Sequence, residues 1–148
     1  MNSGKSILIF IAAFGFLLAA GCGNDDDNPT DPGNNVPAEL VGTWYLDSAT
    51  ANGTPISPGA IFLWSDSTEA ARIIVGADGS LIYEEMDADS TVIRTENGTF
   101  MVDGNSATIT ISQLELNGTW ALNESQDELT LSTTYLGAQI VLVAVKYE

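Results

Sequence analysis

The feature that most constrains the fold is a series of short apolar segments, each ended by turn-forming residues, between residues 38 and 148. The stretch 107–112 (ATITIS) alternates apolar and polar side chains, which is typical of a strand with one face in water. Asp78-Gly79 and Asp103-Gly104 are strong hairpin signals. Because no long stretch has sustained helical periodicity, the pattern predicts an all-β domain.

The spacing of these segments predicts ten short antiparallel strands. They are expected at 40–47, 60–65, 71–76, 80–87, 90–96, 98–103, 106–113, 117–123, 128–133 and 139–147. Asn97-Gly98, Asn117-Gly118 and residues 125–127 are interpreted as further turns or breaks. This arrangement favours an up-and-down meander closed as a β-barrel, with a β-sandwich as the alternative. The segment 138–145 is apolar at both odd and even positions, so we expect it to be sheltered on both faces.

Residue usage excludes several classes of function. The chain has 20 acidic residues, four basic residues and no histidine. Ser-His-Asp and Cys-His nucleophile sites and histidine metal sites are therefore impossible, and a single cysteine leaves no intramolecular disulfide. The acidity disfavours nucleic acid and anionic lipid headgroups as partners. We expect a non-enzymatic protein without a cofactor or a metal.

The N-terminus has the pattern of a secretory signal peptide, since one basic residue, Lys5, precedes an apolar run at 7–20 that ends in small residues. The run is shorter than the roughly 20 residues that span a bilayer. The residues directly before the single cysteine, Ala19-Ala20-Gly21-Cys22, resemble the lipobox of bacterial lipoproteins. A leucine is commonest in that family where Ala19 stands here, and Leu18 lies one position earlier.

The lipobox resemblance implies that residues 1–21 are removed and that Cys22 carries a diacylglyceryl group and an acylated amino terminus, for example with palmitate. Stable anchoring requires more than one acyl chain. The resemblance also implies a bacterial envelope protein, with Gly23 rather than aspartate after the cysteine favouring the outer membrane. The acids Asp25-Asp26-Asp27 resemble export signals of some surface lipoproteins, so both the periplasmic and the surface face remain open.

Residues 22–37 follow the cleavage site and contain almost no apolar side chains, so they cannot offset the entropy of ordering. We interpret them as the lipidated cysteine and an acidic flexible tether with an end-to-end distance of about 20 Å. A calcium loop at Asp25 and Asp27 is the alternative, but Pro29 stands where another oxygen ligand belongs. The folded domain is predicted to occupy 38–148.

The domain carries several short motifs in a defined order. Gly42-Thr43-Trp44 opens the first predicted strand, and the stretches 76–83, 97–105, 120–122 and 127–131 follow it. This order resembles the lipocalin-like domains of secreted bacterial lipoproteins. The resemblance implies a barrel of about eight strands, in which Trp44 packs at the closed end beneath a basic residue of the last strand, here Lys146.

Aromatic and basic residues inside such a barrel are the candidate ligand-binding site. The candidates are Trp44, Phe62, Tyr83, Phe100, Trp120, Arg72 and Arg94. Either arginine is flanked by apolar residues and could hold a ligand carboxylate; the alternative is an outer-face position paired with acids. The alternative for the aromatic residues is that they belong to the hydrophobic core. Three acids, Glu85, Asp87 and Asp89, alternate onto one strand face. A third interpretation is that they bind a cation weakly.

Two functions from different classes follow from these residues. The first is a non-enzymatic module that binds a small apolar or amphipathic ligand inside the barrel. The second is a structural or protein-interaction module of the cell envelope whose barrel is filled by its own side chains. A large internal cavity would favour the first function, and a packed interior with an exposed apolar patch would favour the second. The sequence leaves the oligomeric state open.

Overall fold

The computed structural model describes residues 36–147, which contain nine strands and one short helix. The elements are β1 (Gly42–Ala51), β2 (Thr54–Ile56), α1 (Gly59–Phe62), β3 (Ala70–Val75), β4 (Ser80–Met86), β5 (Val92–Asp103), β6 (Ser106–Ile111), β7 (Leu114–Leu122), β8 (Glu128–Tyr135) and β9 (Ala138–Lys146). Among these residues, no helix is both long and apolar enough to cross a membrane. The predicted signal peptide, Cys22 and all but the last two residues of the tether lie outside the described residues.

The strands form one antiparallel sheet that closes on itself. Neighbours pair in the order β1-β3-β4-β5-β6-β7-β8-β9, and β9 pairs back with β1. The short β2 lies outside this ring as a hairpin partner of the second half of β1. The result is a closed eight-stranded barrel, which confirms the predicted meander and excludes the sandwich.

The strands alternate between an inner and an outer face, as the sequence pattern predicts. On β6, Ala107, Ile109 and Ile111 are buried, whereas the threonines between them are half-buried on the outer face. On β5, the inner face carries the even-numbered residues, from Arg94 to the fully buried Phe100. The core therefore lies inside the barrel, and it begins with Val36, which packs into it from the segment assigned to the tether.

The prediction of a strand at 60–65 is wrong, because this segment contains α1. Pro58 provides the N-cap and has helical angles, and Ile61 and Phe62 are buried. A short apolar run does not distinguish a buried strand from a short helix by periodicity alone. The helix ends at Leu63, whose left-handed backbone (φ 54°) turns the chain towards β3.

The Asn-Gly dipeptides were the least reliable turn signals. Asn97-Gly98 lies inside β5, which therefore spans two of the predicted strands, and Asn117-Gly118 lies inside β7. A Cβ atom on Gly98 would lie 2.1 Å from the backbone oxygen of Thr110, so close approach of the neighbouring strand explains the glycine. The remaining pair, Asn52-Gly53, was not singled out from the sequence and forms the β1–β2 turn with both φ values positive.

One end of the barrel, called the base here, is closed by residues 36–41 and by Trp44. The Trp44 ring is fully buried, and its Nε1 donates a hydrogen bond to the Leu40 carbonyl oxygen at 2.8 Å. Lys146 is the cross-strand neighbour of Trp44 and places its Nζ 5.0 Å from the ring centroid. Gly42 has φ 133°, and a Cβ there would meet the Lys146 stem at 3.1 Å. The Gly-x-Trp spacing thus makes room for the lysine, and the predicted Trp44–Lys146 contact is confirmed.

Strand β9 is sheltered more on its inner face than on its outer face. Ile140, Leu142 and Ala144 are buried, whereas Val141 and Val143 of the outer face are half-buried. The expectation of burial on both sides is therefore met only in part. The outer valines lie between β1 and β8, whose small side chains opposite them, such as Ser48 and Ser132, cover them incompletely.

Candidate functional site

A cavity of about 360 Å³ occupies the end of the barrel opposite the base, called the α1 end here. Residues from α1, from five strands (β4 to β8) and from the β6–β7 turn form its wall. They are Ile61, Phe62, Leu63, Tyr83, Arg94, Glu96, Ile111, Ser112, Gln113, Leu114 and Tyr135. A second cavity deeper in the barrel, lined by Ile109, Leu131 and their neighbours, holds only about 10 Å³. The barrel is thus hollow beside α1.

Helix α1 covers the cavity through one aromatic contact. The ring of Phe62 stacks on that of Tyr83, with centroids 5.3 Å apart and planes at 14°. The next residue, Leu63, is 75% exposed, so the left-handed turn at its position separates a buried aromatic ring from a solvent-facing leucine. An offset aromatic pair of this kind adds about 0.5–1.5 kcal/mol beyond its buried area.

Glu85 is a fully buried carboxylate behind the cavity wall. Its Oε1 accepts hydrogen bonds from the Tyr83 hydroxyl (3.1 Å) and from Arg94 Nη1 (2.8 Å). Its Oε2 accepts from the Thr68 hydroxyl (2.6 Å) and from the backbone N–H of Ser65 (3.4 Å). A buried charge is tolerated when it is paired and hydrogen-bonded in this way. Glu85 therefore ties the α1–β3 connection to the barrel wall.

Tyr83 donates to Glu85 as a neutral phenol. Burial raises the pKa of Tyr83 well above its ordinary value, and the negative charge of Glu85 raises it further. The hydroxyl therefore keeps its proton under physiological conditions and remains a hydrogen-bond donor to the carboxylate.

Arg94 is held between two glutamates at the cavity wall. Besides the bond to Glu85, its Nε donates to Glu96 Oε1 at 2.8 Å, and its Nη2 also contacts this oxygen. The hydrogen bond to Glu96 is the main cause that raises the pKa of Arg94, so the guanidinium stays charged. Arg94 Nη1 also approaches the Leu63 carbonyl oxygen at 3.5 Å, which links the guanidinium to the end of α1.

The comparisons with known proteins agree with this architecture. A family model described as a lipocalin-like domain matches residues 40–143. The chain belongs to this lipocalin-like family. No protein of curated function matches the chain.

Solved structures with a similar chain path include three β-barrels. A redesigned beta barrel matches with 16% identity and a TM-score of 0.44, over 74% of this chain and 93% of that one. A mutant of the fluorescent protein UnaG matches with 10% identity and a TM-score of 0.41, over 74% and 97%. The zebrafish ileal bile acid-binding protein, complexed with cholic acid, matches with 12% identity and a TM-score of 0.41, over 74% and 100%.

The lipocalin-like barrel brings three of the sequence-predicted site residues together. Phe62, Tyr83 and Arg94 line the cavity. Trp44 and Phe100 are fully buried in the core instead, in keeping with their alternative interpretation. Trp120 is half-buried and donates through Nε1 to the Gly104 carbonyl oxygen at 2.9 Å, a contact with the β5–β6 turn at the base end.

Arg72 is not a cavity residue, because it lies on the outer face of the barrel. Its Nε donates to Glu84 at 2.6 Å, and its Nη1 donates to the Tyr45 hydroxyl at 3.0 Å. The hydrogen bond to Tyr45 is the main cause that raises the pKa of Arg72, and the bond to Glu84 is the second. This is the outer-face position that the sequence left open for either arginine.

The acids proposed as a weak cation site are separated in the structure. Glu85 points into the barrel, whereas Asp87 lies in the β4–β5 turn and accepts hydrogen bonds from the N–H groups of Asp89 and Thr91. Within residues 36–147, no group of three or more potential metal ligands comes together. The interpretation of these three acids as one cation-binding face is therefore wrong.

Glu96 is the functional candidate that sequence reasoning missed, whereas Glu85 was considered only as a cation ligand beside Asp87 and Asp89. Glu96 has the same strand parity as Arg94 and the buried Phe100, so the alternation on β5 carried a signal for its inward orientation. For Glu85, the signal is the cross-strand register that opposes it to Arg94. That register becomes visible only when the β4–β5 turn has been placed.

Proposed function

We propose that this lipocalin-like protein is a non-enzymatic binder of a small apolar or amphipathic molecule, held in the cavity at the α1 end. The main support for this proposal is the cavity, because its volume of about 360 Å³ lies within the volume range of small-molecule binding sites. Its wall combines the apolar and aromatic side chains of α1 and the strands with the polar side chains of Arg94, Glu96, Ser112 and Gln113. Apolar walls with a few convergent polar groups are typical of small-molecule sites.

Native mass spectrometry of the full chain, purified gently from its own organism, tests this proposal. We expect a discrete extra mass that disappears when the protein is denatured. A covalent lipid on Cys22 would remain through denaturation, so the two contributions separate in one measurement. A bare folded mass equal to the denatured mass would contradict carriage of a ligand.

The second function, a protein-interaction module of the envelope, has one observation in its favour. Large apolar side chains are exposed on the connections and strand ends around the α1 end: Leu63, Val92, Ile93 and Leu136. A bare native mass together with a specific protein bound to the barrel would favour this function. The cavity at the barrel mouth favours the first function, because it offers a small molecule a space bounded by inner-face side chains.

We also propose that the protein is lipid-anchored at Cys22 in the bacterial envelope, on the outer membrane. The lipobox resemblance of residues 19–22 and the acidic tether support this part of the proposal. Cys22→Ala should release the protein from the membrane fraction and abolish the added lipid mass, whereas Asn24→Ala should leave both unchanged. Membrane retention of the Cys22→Ala protein with an unchanged mass would contradict lipidation.

A further inference from the structure

The polar groups of the cavity wall carry an excess of negative charge. Glu85, Arg94 and Glu96 form one hydrogen-bonded group, in which a single guanidinium is shared by two carboxylates. Arg94 already directs Nε and Nη2 to Glu96 and Nη1 to Glu85. Of the five guanidinium N–H groups, four are directed to Glu85, Glu96 and the Leu63 carbonyl oxygen, so a ligand carboxylate could accept only from the one left on Nη2 and would lie beside two like charges.

In this hydrogen-bonded group, one carboxylate oxygen accepts no hydrogen bond from the described residues. Both hydrogen bonds from Arg94 to Glu96 end on Oε1, and Glu96 Oε2 accepts no hydrogen bond from any residue in 36–147. The oxygens of Glu85, in contrast, are all occupied by Ser65, Thr68, Tyr83 and Arg94. Glu96 lines the cavity and is therefore the carboxylate that a bound molecule can reach.

We propose that the cavity selects amphiphiles with a protonated amine, whose ammonium donates to Glu96 Oε2 while the apolar tail lies against Phe62, Ile111 and Leu114. This inference rests on the proposed ligand-binding function and names the ligand's chemical class. A charge-assisted hydrogen bond to a carboxylate is roughly twice as strong as a neutral one. The 20 acidic residues of the chain against four basic ones also raise the local concentration of cations.

The aromatic rings of the wall fit the same class of ligand. Phe62, Tyr83 and Tyr135 contribute to the cavity wall. The interaction of a cation with an aromatic face contributes about 0.5–1 kcal/mol at exposed sites and about 2 kcal/mol or more when the cation is desolvated. A carboxylate gains nothing from these faces. Aromatic rings and Glu96 therefore act in the same direction, towards a cationic head group.

Three probes with the same eight-carbon tail test the inference on the full chain: octylamine, octanol and octanoate. At about pH 7 the amine is protonated, as a lysine side chain is, and octanoate is ionised. Calorimetric titration should show octylammonium binding at least about tenfold more tightly than octanoate, with octanol between them. Octanoate binding as tightly as octylammonium, or more tightly, would overturn the inference and leave the ligand-binding function standing. Binding of none of the three probes would contradict both.

Two glutamine variants locate the effect. Glu96→Gln removes the charge and keeps the shape, so the preference for octylammonium over octanoate should fall by about tenfold. Glu84→Gln is the matched control, because Glu84 pairs with Arg72 on the outer face and does not line the cavity. Octanol affinity should stay unchanged in both proteins, which shows that the cavity is intact. An amine preference unaffected by Glu96→Gln would overturn the role of this carboxylate.

Discussion

The base and the α1 end close the same barrel by different physical means. At the base, the large ring of Trp44 fills the space, and its N–H group and the nearby Lys146 ammonium donate to the backbone carbonyls of Leu40 and Glu39. At the α1 end, one helical turn covers a cavity, and a buried carboxylate, Glu85, holds the cover in place. The comparison indicates that the base is closed by packing, whereas the α1 end leaves the space and the charged groups on which the proposed ligand site depends.

Trp44→Ala should have the largest effect on stability. Removal of a fully buried aromatic side chain costs about 3–5 kcal/mol, since it loses apolar contacts and leaves a cavity. The measurement is the free energy of unfolding from denaturant titration of the full chain. Trp120→Ala is the matched control, and its loss should be clearly smaller because that ring is half-buried. Equal losses for the two tryptophans would contradict the role assigned to the base.

Glu85→Gln should have the next largest effect, at the other end of the barrel. The neutral amide cannot accept all four hydrogen bonds of the carboxylate and loses the charge opposite Arg94, and hydrogen bonds to a charged group contribute about 1.5–3 kcal/mol. Because Thr68 and Ser65 lose their partner, amide hydrogen exchange should accelerate between α1 and β3 more than at the base. Uniform acceleration throughout the barrel would show that Glu85 does not act locally.

The base was expected from the resemblance to lipocalin-like domains, and the structure shows why the motif carries it: its parts are local or fixed by the barrel closure. Gly42 and Trp44 share one strand face, and a basic residue near the end of the last strand lies opposite them once β9 pairs with β1. The hairpins at Asp78-Gly79 and Asp103-Gly104 were readable for the same reason, since turn chemistry is encoded in two adjacent residues.

The cavity was less predictable from sequence. The alternation of apolar and polar residues assigns polar side chains to the solvent face, whereas the polar residues of the cavity lie on the inner face. Arg94 was recognised as a candidate from its apolar neighbours, but its two glutamate partners depend on the tertiary register of β4 and β5. Helix α1 was interpreted as a strand, so the cover over the cavity was missing from the prediction. Tertiary contacts, rather than local propensity, decide both features.

Lys146→Met should have the smallest of the three effects and sharpens the account of the base. Methionine keeps an apolar stem against Gly42 but loses the charge near the Trp44 ring and the hydrogen bond from Nζ to the Glu39 carbonyl oxygen, which is 3.0 Å long. We expect a loss of about 1–2 kcal/mol, the sum of a partly desolvated cation–π contact and one hydrogen bond. A double-mutant cycle with Trp44→Leu, which removes the aromatic face, should give a coupling of about 0.5 kcal/mol or more if the ammonium and the indole interact directly. Additive losses would assign the lysine's contribution to the Glu39 hydrogen bond alone, and the base would then be closed by packing and backbone hydrogen bonds rather than by a cation on an aromatic ring.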